Sequence, residues 1–428
     1  MLKADSITMI YIGGLIVILT AIAIVKKVEV RLVLFVSGIL MALLAGDVVT
    51  AVNSFTTTMT SGSLIPILTT VMGFSFVLKL TKCDLHLIHF ITGPMTKFRA
   101  ILIPLTVIMT ALMNIALTSA AGVAAAVGAI FIPALIKAGV HPIMAATAVF
   151  AGTFGGNISP GNAQVAHVAE LSGTTVVDVA LYLAPIGIVS IIISAVTLTL
   201  VAIALKENKG YVATAEEVGE EGEAFKPSPL KAIVPIVPLL LIIIGSPAVG
   251  LLENEISVPE AMLVGVFLVF LVTWKNPQEM TKAFFEGMGT SFAKIVGIIL
   301  AAAVFTTGMD LIGLTGALIE FMRDSEQVVA IAGIFGPFIL AVVSGSGIAA
   351  ALAFNESITP YAAEFGFEVM ELGAIATFAG ALGRTMSPVA GAGIICAGIA
   401  KVNPMDCAKR NIPGMLIAAF VVLFMFLM

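Results

Sequence analysis

Long apolar runs separated by short polar connections dominate the chain. Residues 100–136 hold no Asp, Glu, Lys or Arg, and neither do residues 327–355. About 20 apolar residues cross a bilayer as a helix, so runs of this length predict membrane-spanning helices. Neither run alternates apolar and polar positions as a barrel strand does. The pattern predicts segments near 7–25, 30–46 and 62–80, a hairpin over 100–136, a broken helix over 142–172 and a segment at 178–205. After a polar stretch it predicts segments near 232–250, 260–274 and 288–309. A hairpin over 328–358, a broken helix over 371–400 and a segment at 411–428 complete the chain.

The polar stretch, KENKGYVATAEEVGEEGEAFKPSPLK, covers 206–231 and reads as an acidic linker outside the membrane. It divides the chain nearly in half, and the halves match at an offset of 228. Phe150-Ala151-Gly152 recurs as Phe378-Ala379-Gly380, Gly155 as Gly383, and Ser159-Pro160 as Ser387-Pro388. Asp178 recurs as Asp406 and Pro185 as Pro413. Glycine, proline, serine and aspartate in one register argue for a repeat. Residues 1–205 then form the first repeat, 206–231 the linker and 232–428 the second repeat.

Composition agrees. Of 428 residues, 59% are hydrophobic and 11% charged, against about 25% charged in soluble domains. Cys83, Cys396 and Cys407 have no paired spacing, so neither a disulfide framework nor a metal site is expected. Lys26 and Lys27 follow the first apolar segment directly, which reads as a retained helix. If the Lys26/Lys27/Arg31 loop is cytoplasmic and the segments alternate, most basic residues fall on that side, among them Lys97, Arg99, Lys137, Lys206 and Arg410. Glu253 and Glu255 then fall outside. This follows the bias of Lys and Arg toward the cytoplasm. The alternation holds only if both hairpins re-enter without crossing. Each repeat then has five transmembrane helices, the repeats are inverted, and both termini lie outside.

Inverted repeats with interrupted helices are a transporter signature. Unpaired backbone costs several kcal/mol per group in hydrocarbon, so a break survives only where protein or a polar cavity covers it. The breaks here are GTFGGNISPGNAQ and GALGRTMSPVAG. Pro160 and Pro388 are expected at half-helix starts, where free N–H groups favour an anion. The hairpin tips, Thr118-Ser119-Ala120-Ala121-Gly122 and Ser344-Gly345-Ser346-Gly347, offer hydroxyls and close approach. Arg384 is the one charge in 372–400. A charge at membrane depth is costly and usually functional, and a guanidinium suits a carboxylate. Beside Thr385 and Ser387, it reads as a clamp for one substrate carboxylate, as a counter-ion to Glu356, or as a stand-in for a coupling sodium. Glu356 is a possible proton-coupling residue or a structural one. His167 and Asn114 read as packing and helix–helix contacts.

LGRTMSPVAG, followed by AGIAKVNPMDCAKR, is similar to the closing motif of the DcuC-type anaerobic four-carbon dicarboxylate carriers. SGSGIAAALAFNESITP resembles their second hairpin. The resemblance covers most of the chain in layout and is strongest over 336–413. Those carriers belong to the ion transporter superfamily. The resemblance implies an all-α polytopic fold with a scaffold and a moving transport unit, an elevator mechanism and a homodimer in the bacterial cytoplasmic (inner) membrane. It implies that substrate carboxylates are held at tips and breaks by serine, threonine and asparagine, here Thr118, Ser119, Asn157, Ser159, Asn162, Ser344, Ser346, Thr385 and Ser387, to which the isolated charge adds Arg384. ISPGNAQ resembles the superfamily's threonine-proline-asparagine break. The first tip, however, has Thr118-Ser119 where sodium-coupled relatives carry serine-asparagine-threonine, which argues against a sodium site.

The expected function is secondary transport of succinate, fumarate, malate or aspartate, by exchange, by proton symport, or both. The alternatives are a related carrier for amino acids or tricarboxylates, or a sodium/proton exchanger. No GxxxxGK[ST] run appears, which argues against a primary pump. No metal cluster, catalytic set, cofactor or nucleic-acid partner is expected. The coupling ion is expected to be a proton rather than sodium.

Overall fold

Where glycine and proline cluster, an apolar run breaks, as between Ala151 and Ala163; lone prolines do not break it, and Pro133, Pro185, Pro337 and Pro413 lie inside continuous helices. The computed structural model describes all residues except Met1, Lys27, Ser61, Ser63, 93–100, 213–224, Ala248, Gly250, Glu253, Asn254 and 323–325. The acidic run of the linker (Glu216 to Glu223), Lys27, Lys97, Arg99 and Glu253 therefore lie outside the described residues. Among the described residues the chain is helical and has no strand.

The first half opens with α1 (Leu2–Val25), α2 (Val30–Ala45), α3 (Val48–Met59), α4 (Leu64–Thr81) and α5 (Cys83–Thr92). A hairpin follows, made of α6 (Leu102–Ala116) and α7 (Ala120–Lys137). The broken helix comprises α8 (Pro142–Ala151), a 3-10 turn at Gly155–Ile158 and α9 (Ala163–Ser172); α10 (Val176–Ala204) ends the half. The second half opens with α11 (Pro229–Ile233), α12 (Val237–Ile244) and α13 (Val258–Thr273). Next, α14 (Pro277–Ser291) runs through a π turn at Phe292–Val296 into α15 (Gly297–Leu311), followed by α16 (Leu314–Met322). The second hairpin is α17 (Glu326–Ser344) and α18 (Gly347–Ser357), with a 3-10 stretch at Thr359–Phe365. The second broken helix is α19 (Val369–Thr385) and α20 (Gly391–Ile399), and α21 (Pro404–Leu427) closes the chain. Val30 and Val258, Ala163 and Gly391, and Val176 and Pro404 each begin helices 228 positions apart.

Seven described stretches are helical, long and apolar enough to cross a membrane, among them Ile7–Ile24, Val176–Ala204 and Pro277–Leu311. This is a polytopic helical membrane protein. Polar caps mark the helix starts. Glu29 accepts the N–H of Leu32 at 2.8 Å, and Asn403 that of Met405 at 2.9 Å. Thr175 and Asp178 form a reciprocal cap on α10.

Several expected boundaries differ. The segment expected at 232–250 is two short helices, because Pro235 and Pro238 each remove a backbone donor. The helices α3, α5 and α16 were not expected; α3, VVTAVNSFTTTM, carries too many hydroxyls to read as a span. Pro160 and Pro388 each lie two residues before an N-cap, Asn162 and Ala390, rather than at the first helical position. Arg384 lies in the last turn of α19, not within the break. A cation is favoured there by the helix dipole.

Two large apolar cores hold the hairpins and broken helices together. One joins α5 to α8 with α10 and α20, around Phe131 and Phe150. The other joins α6, α9, α10, α17, α19 and α21, around Phe154 and Phe378. Separate, smaller clusters join α1, α2 and α15, and α4, α12 and α13. Close backbone crossings fasten the flanking helices, as small residues permit in membranes. A Cβ at Gly308 of α15 would fall 2.4 Å from the Gly38 carbonyl oxygen of α2.

Candidate functional site

Four helix N-termini converge on one cavity of about 300 Å³. They belong to the second arm of each hairpin and the second half of each broken helix. Ser119, Ala120 and Ala121 open α7; Asn162, Ala163 and Gln164 open α9. Ser346, Gly347 and Ile348 open α18, and Gly391 and Ala392 open α20. Leu68, Val71 and Met72 of α4, with Ile295 of the π turn, supply an apolar wall. Among the described lining residues Arg384 is the one with a formal charge. Four positive dipole ends and one guanidinium, with no carboxylate among the described lining residues, favour an anion there.

The N-termini differ in how they are capped. Ser119 Oγ accepts from Gly122 N at 3.2 Å, Asn162 Oδ1 from Gln164 N at 2.8 Å, and Ser346 Oγ from Ala349 N at 3.1 Å. The N-cap of α20 is Ala390, which makes no side-chain cap. Its first turn has an open side: a Cβ added at Gly391 would meet nothing within 4 Å.

The second broken helix touches the first break through Arg384 in the last turn of α19, whose Nη2 donates to the carbonyl oxygen of Thr153 at 2.7 Å. Asn114, on the first hairpin's rising arm, fixes the first break. Its Oδ1 accepts the Gly156 N–H at 2.8 Å, and its Nδ2 donates to Leu117 O at 2.9 Å. Within the break, Asn162 Nδ2 donates to Gly156 O at 2.8 Å. Asn157 Nδ2 reaches both Gln164 Oε1, at 3.4 Å, and Thr377 O of the second broken helix, at 3.3 Å.

Of the residues expected at the site, Thr118, Ser119, Asn157, Asn162, Ser346 and Arg384 line the cavity. Ser159, Ser344, Thr385 and Ser387 do not line it. They shape its backbone instead: Ser159 accepts from Gly161 N, Ser344 from Ser346 N and Ser387 from Val389 N, and Thr385 donates to Ala381 O. Thr153, Gln164 and Asn114 line the cavity but were not among the expected site residues. Gln164 stands in the quoted break, and its polarity in a buried turn was the available signal.

Glu356 is not the partner of Arg384. Its Oε1 lies 3.2 Å from Nε2 of His167, which is 1% exposed, a close approach of α18 and α9 without a hydrogen bond. Among the described residues Arg384 forms no ion pair, which removes the Arg384–Glu356 reading. Next to Glu356, Asn355 Nδ2 donates to Thr377 Oγ1 at 2.9 Å and its Oδ1 accepts from Thr359 at 3.0 Å. Since Asn157 bonds the Thr377 carbonyl, a buried polar chain runs from the cavity to the neighbour of Glu356.

A family model described as C4-dicarboxylate anaerobic carrier (DcuC) matches residues 71–428. A Haemophilus influenzae protein described as a transporter is 40% identical over 278 residues, covering 63% of this chain and 99% of that protein. A second such protein from the same organism is 45% identical over 129 residues, covering 30% of this chain and 89% of its own length. The anaerobic C4-dicarboxylate transporter DcuC of Escherichia coli K12 is 28% identical over 324 residues, covering 73% of this chain and 68% of its own length.

Proposed function

The chain belongs to the C4-dicarboxylate anaerobic carrier family, and we propose that it carries small four-carbon dicarboxylates across the bacterial inner membrane by alternating access. This is a family of transporters, and the chain is not an enzyme. The substrates are succinate, fumarate, malate or aspartate, moved by exchange, proton symport or both. The observation that carries this reading is the cavity itself, where four helix N-termini and Arg384 meet and no carboxylate competes.

The substrate is held by Arg384, by the hairpin tips at Thr118, Ser119 and Ser346, and by Asn157 and Asn162. Helices that start 228 residues apart support two inverted repeats. Hairpin tips that end at an internal cavity support re-entrant hairpins. The smaller apolar clusters of the flanking helices support a scaffold, with α2, α12 and α13 in it, against which the hairpins and broken helices move as an elevator. A homodimer with both termini outside completes the proposal. The buried His167 beside Glu356, and a polar chain from the cavity that reaches the adjacent Asn355, support Glu356 as the proton carrier.

Counterflow in proteoliposomes tests this reading. Vesicles loaded with unlabelled succinate should accumulate labelled succinate without sodium, and fumarate, malate or aspartate should compete. Accumulation driven only by an amino acid, a tricarboxylate or a sodium gradient would replace the reading with one of its relatives.

A further inference from the structure

Gln164 presents a donor that nothing among the described residues accepts. The residue is 6% exposed, and its Nε2 is buried without a hydrogen-bond partner among the described residues. The rest of the side chain is held. Oε1 accepts from Asn157 Nδ2 at 3.4 Å, which leaves the NH₂ end free, and the Gln164 N–H is capped by Asn162 at 2.8 Å. Gln164 therefore sits fixed in the first turn of α9, lining the cavity. Leaving a buried amide donor unpaired is costly, and most such groups in folded proteins find a partner.

The second break is built differently. It offers a guanidinium and the uncapped first turn of α20, whereas the first offers neutral amides. We propose that Gln164 is a specificity-determining residue, whose Nε2 donates to the substrate carboxylate that Arg384 does not hold. A neutral amide binds a carboxylate without adding a second fixed charge. It also rejects a monocarboxylate, which leaves the buried donor unpaired. The inference rests on the carrier reading, since it presupposes a dicarboxylate in the cavity.

The test compares wild type, Gln164→Leu and Gln164→Asn in sodium-free succinate counterflow, with butyrate as the monocarboxylate competitor. Thermal unfolding of each purified protein is followed without ligand. The proposal expects Gln164→Leu to raise the succinate half-saturation about tenfold or more. Inhibition by butyrate stays within about twofold on that scale. Gln164→Asn, which withdraws the amide by one carbon, lies between. The ligand-free Gln164→Leu protein unfolds at or above the wild-type temperature, because an unpaired donor has been removed. Unchanged succinate half-saturation overturns the proposal. So does a fall in ligand-free stability with succinate and butyrate weakened alike, which is the signature of a structural glutamine. If wild type exchanges no dicarboxylate, the carrier reading fails first and this inference falls with it. Normal wild-type exchange with an unaffected Gln164→Leu sinks this inference alone.

Discussion

Arg384 Nη2 lies 2.7 Å from the carbonyl oxygen of Thr153, so the one charged side chain among the described residues lining the cavity is tied to the break of the opposite broken helix. One guanidinium nitrogen is thereby committed to the protein, and the planar fork keeps others for a carboxylate. Lysine keeps the charge but has no fork. Arg384→Lys should raise the dicarboxylate half-saturation about tenfold or more, since a hydrogen bond to a charged group contributes roughly 1.5–3 kcal/mol. Saturation curves of counterflow read this directly; a curve superimposable on wild type would refute the clamp.

Gly155 and Gly383, matched at the repeat offset, sit where a broken helix presses on a hairpin arm. A Cβ would fall 2.4 Å from Ala111 O at the first and 2.1 Å from Phe338 O at the second. Gly155→Ala and Gly383→Ala should each destabilise the protein by about 1–3 kcal/mol, the usual cost of overpacking. Thermal unfolding in detergent checks it. Tolerance of both would show that these contacts relax freely.

Glu356 lies against the buried His167 across α18 and α9. If Glu356 carries the coupling proton, Glu356→Gln should preserve succinate exchange while abolishing uptake driven by an imposed pH gradient. Gradient-driven uptake at the wild-type rate would assign the pair a structural role.

The linker docks on α5 through His86, whose Nδ1 accepts the Ser228 N–H at 3.1 Å. Phe225 packs against both His86 and His89. Burial, then the Lys231 charge, then His89 hold His86 below its ordinary value. A lowered value means that the folded state favours the neutral ring. Docking is thus complete above about pH 6.5, the ordinary histidine value, and weakens as the pH falls below it. Protonation also removes the lone pair that Ser228 uses. The protection factor of the Ser228 amide, taken against its intrinsic exchange rate at each pH, should fall below that pH, and His86→Ala should abolish that fall. A protection factor that stays constant from pH 7.5 to 5 would contradict the assignment.

Both hairpins and both breaks were legible in the sequence, because glycine, proline and hydroxyl residues interrupt charge-free runs at matching positions. Arg384 was legible as an isolated charge. Its partner was not, since Thr153 contributes a backbone carbonyl, and any residue carries one. Ser159, Ser344, Thr385 and Ser387 share the chemistry of the cavity residues, yet their hydroxyls close local turns or bond the preceding helical turn. Which role a serine takes depends on side-chain direction, which spacing alone does not give. The His167–Glu356 pair joins residues far apart in the chain, and neither shows its partner in local pattern.

The most direct test of the central claim is sodium-free counterflow of labelled succinate into proteoliposomes holding wild type or Arg384→Ala. Arg384→Ala is first shown to elute and unfold as wild type does. The account predicts saturable accumulation by wild type and none by Arg384→Ala. Wild-type vesicles that never accumulate a four-carbon dicarboxylate, or a folded Arg384→Ala protein that exchanges succinate normally, would contradict it.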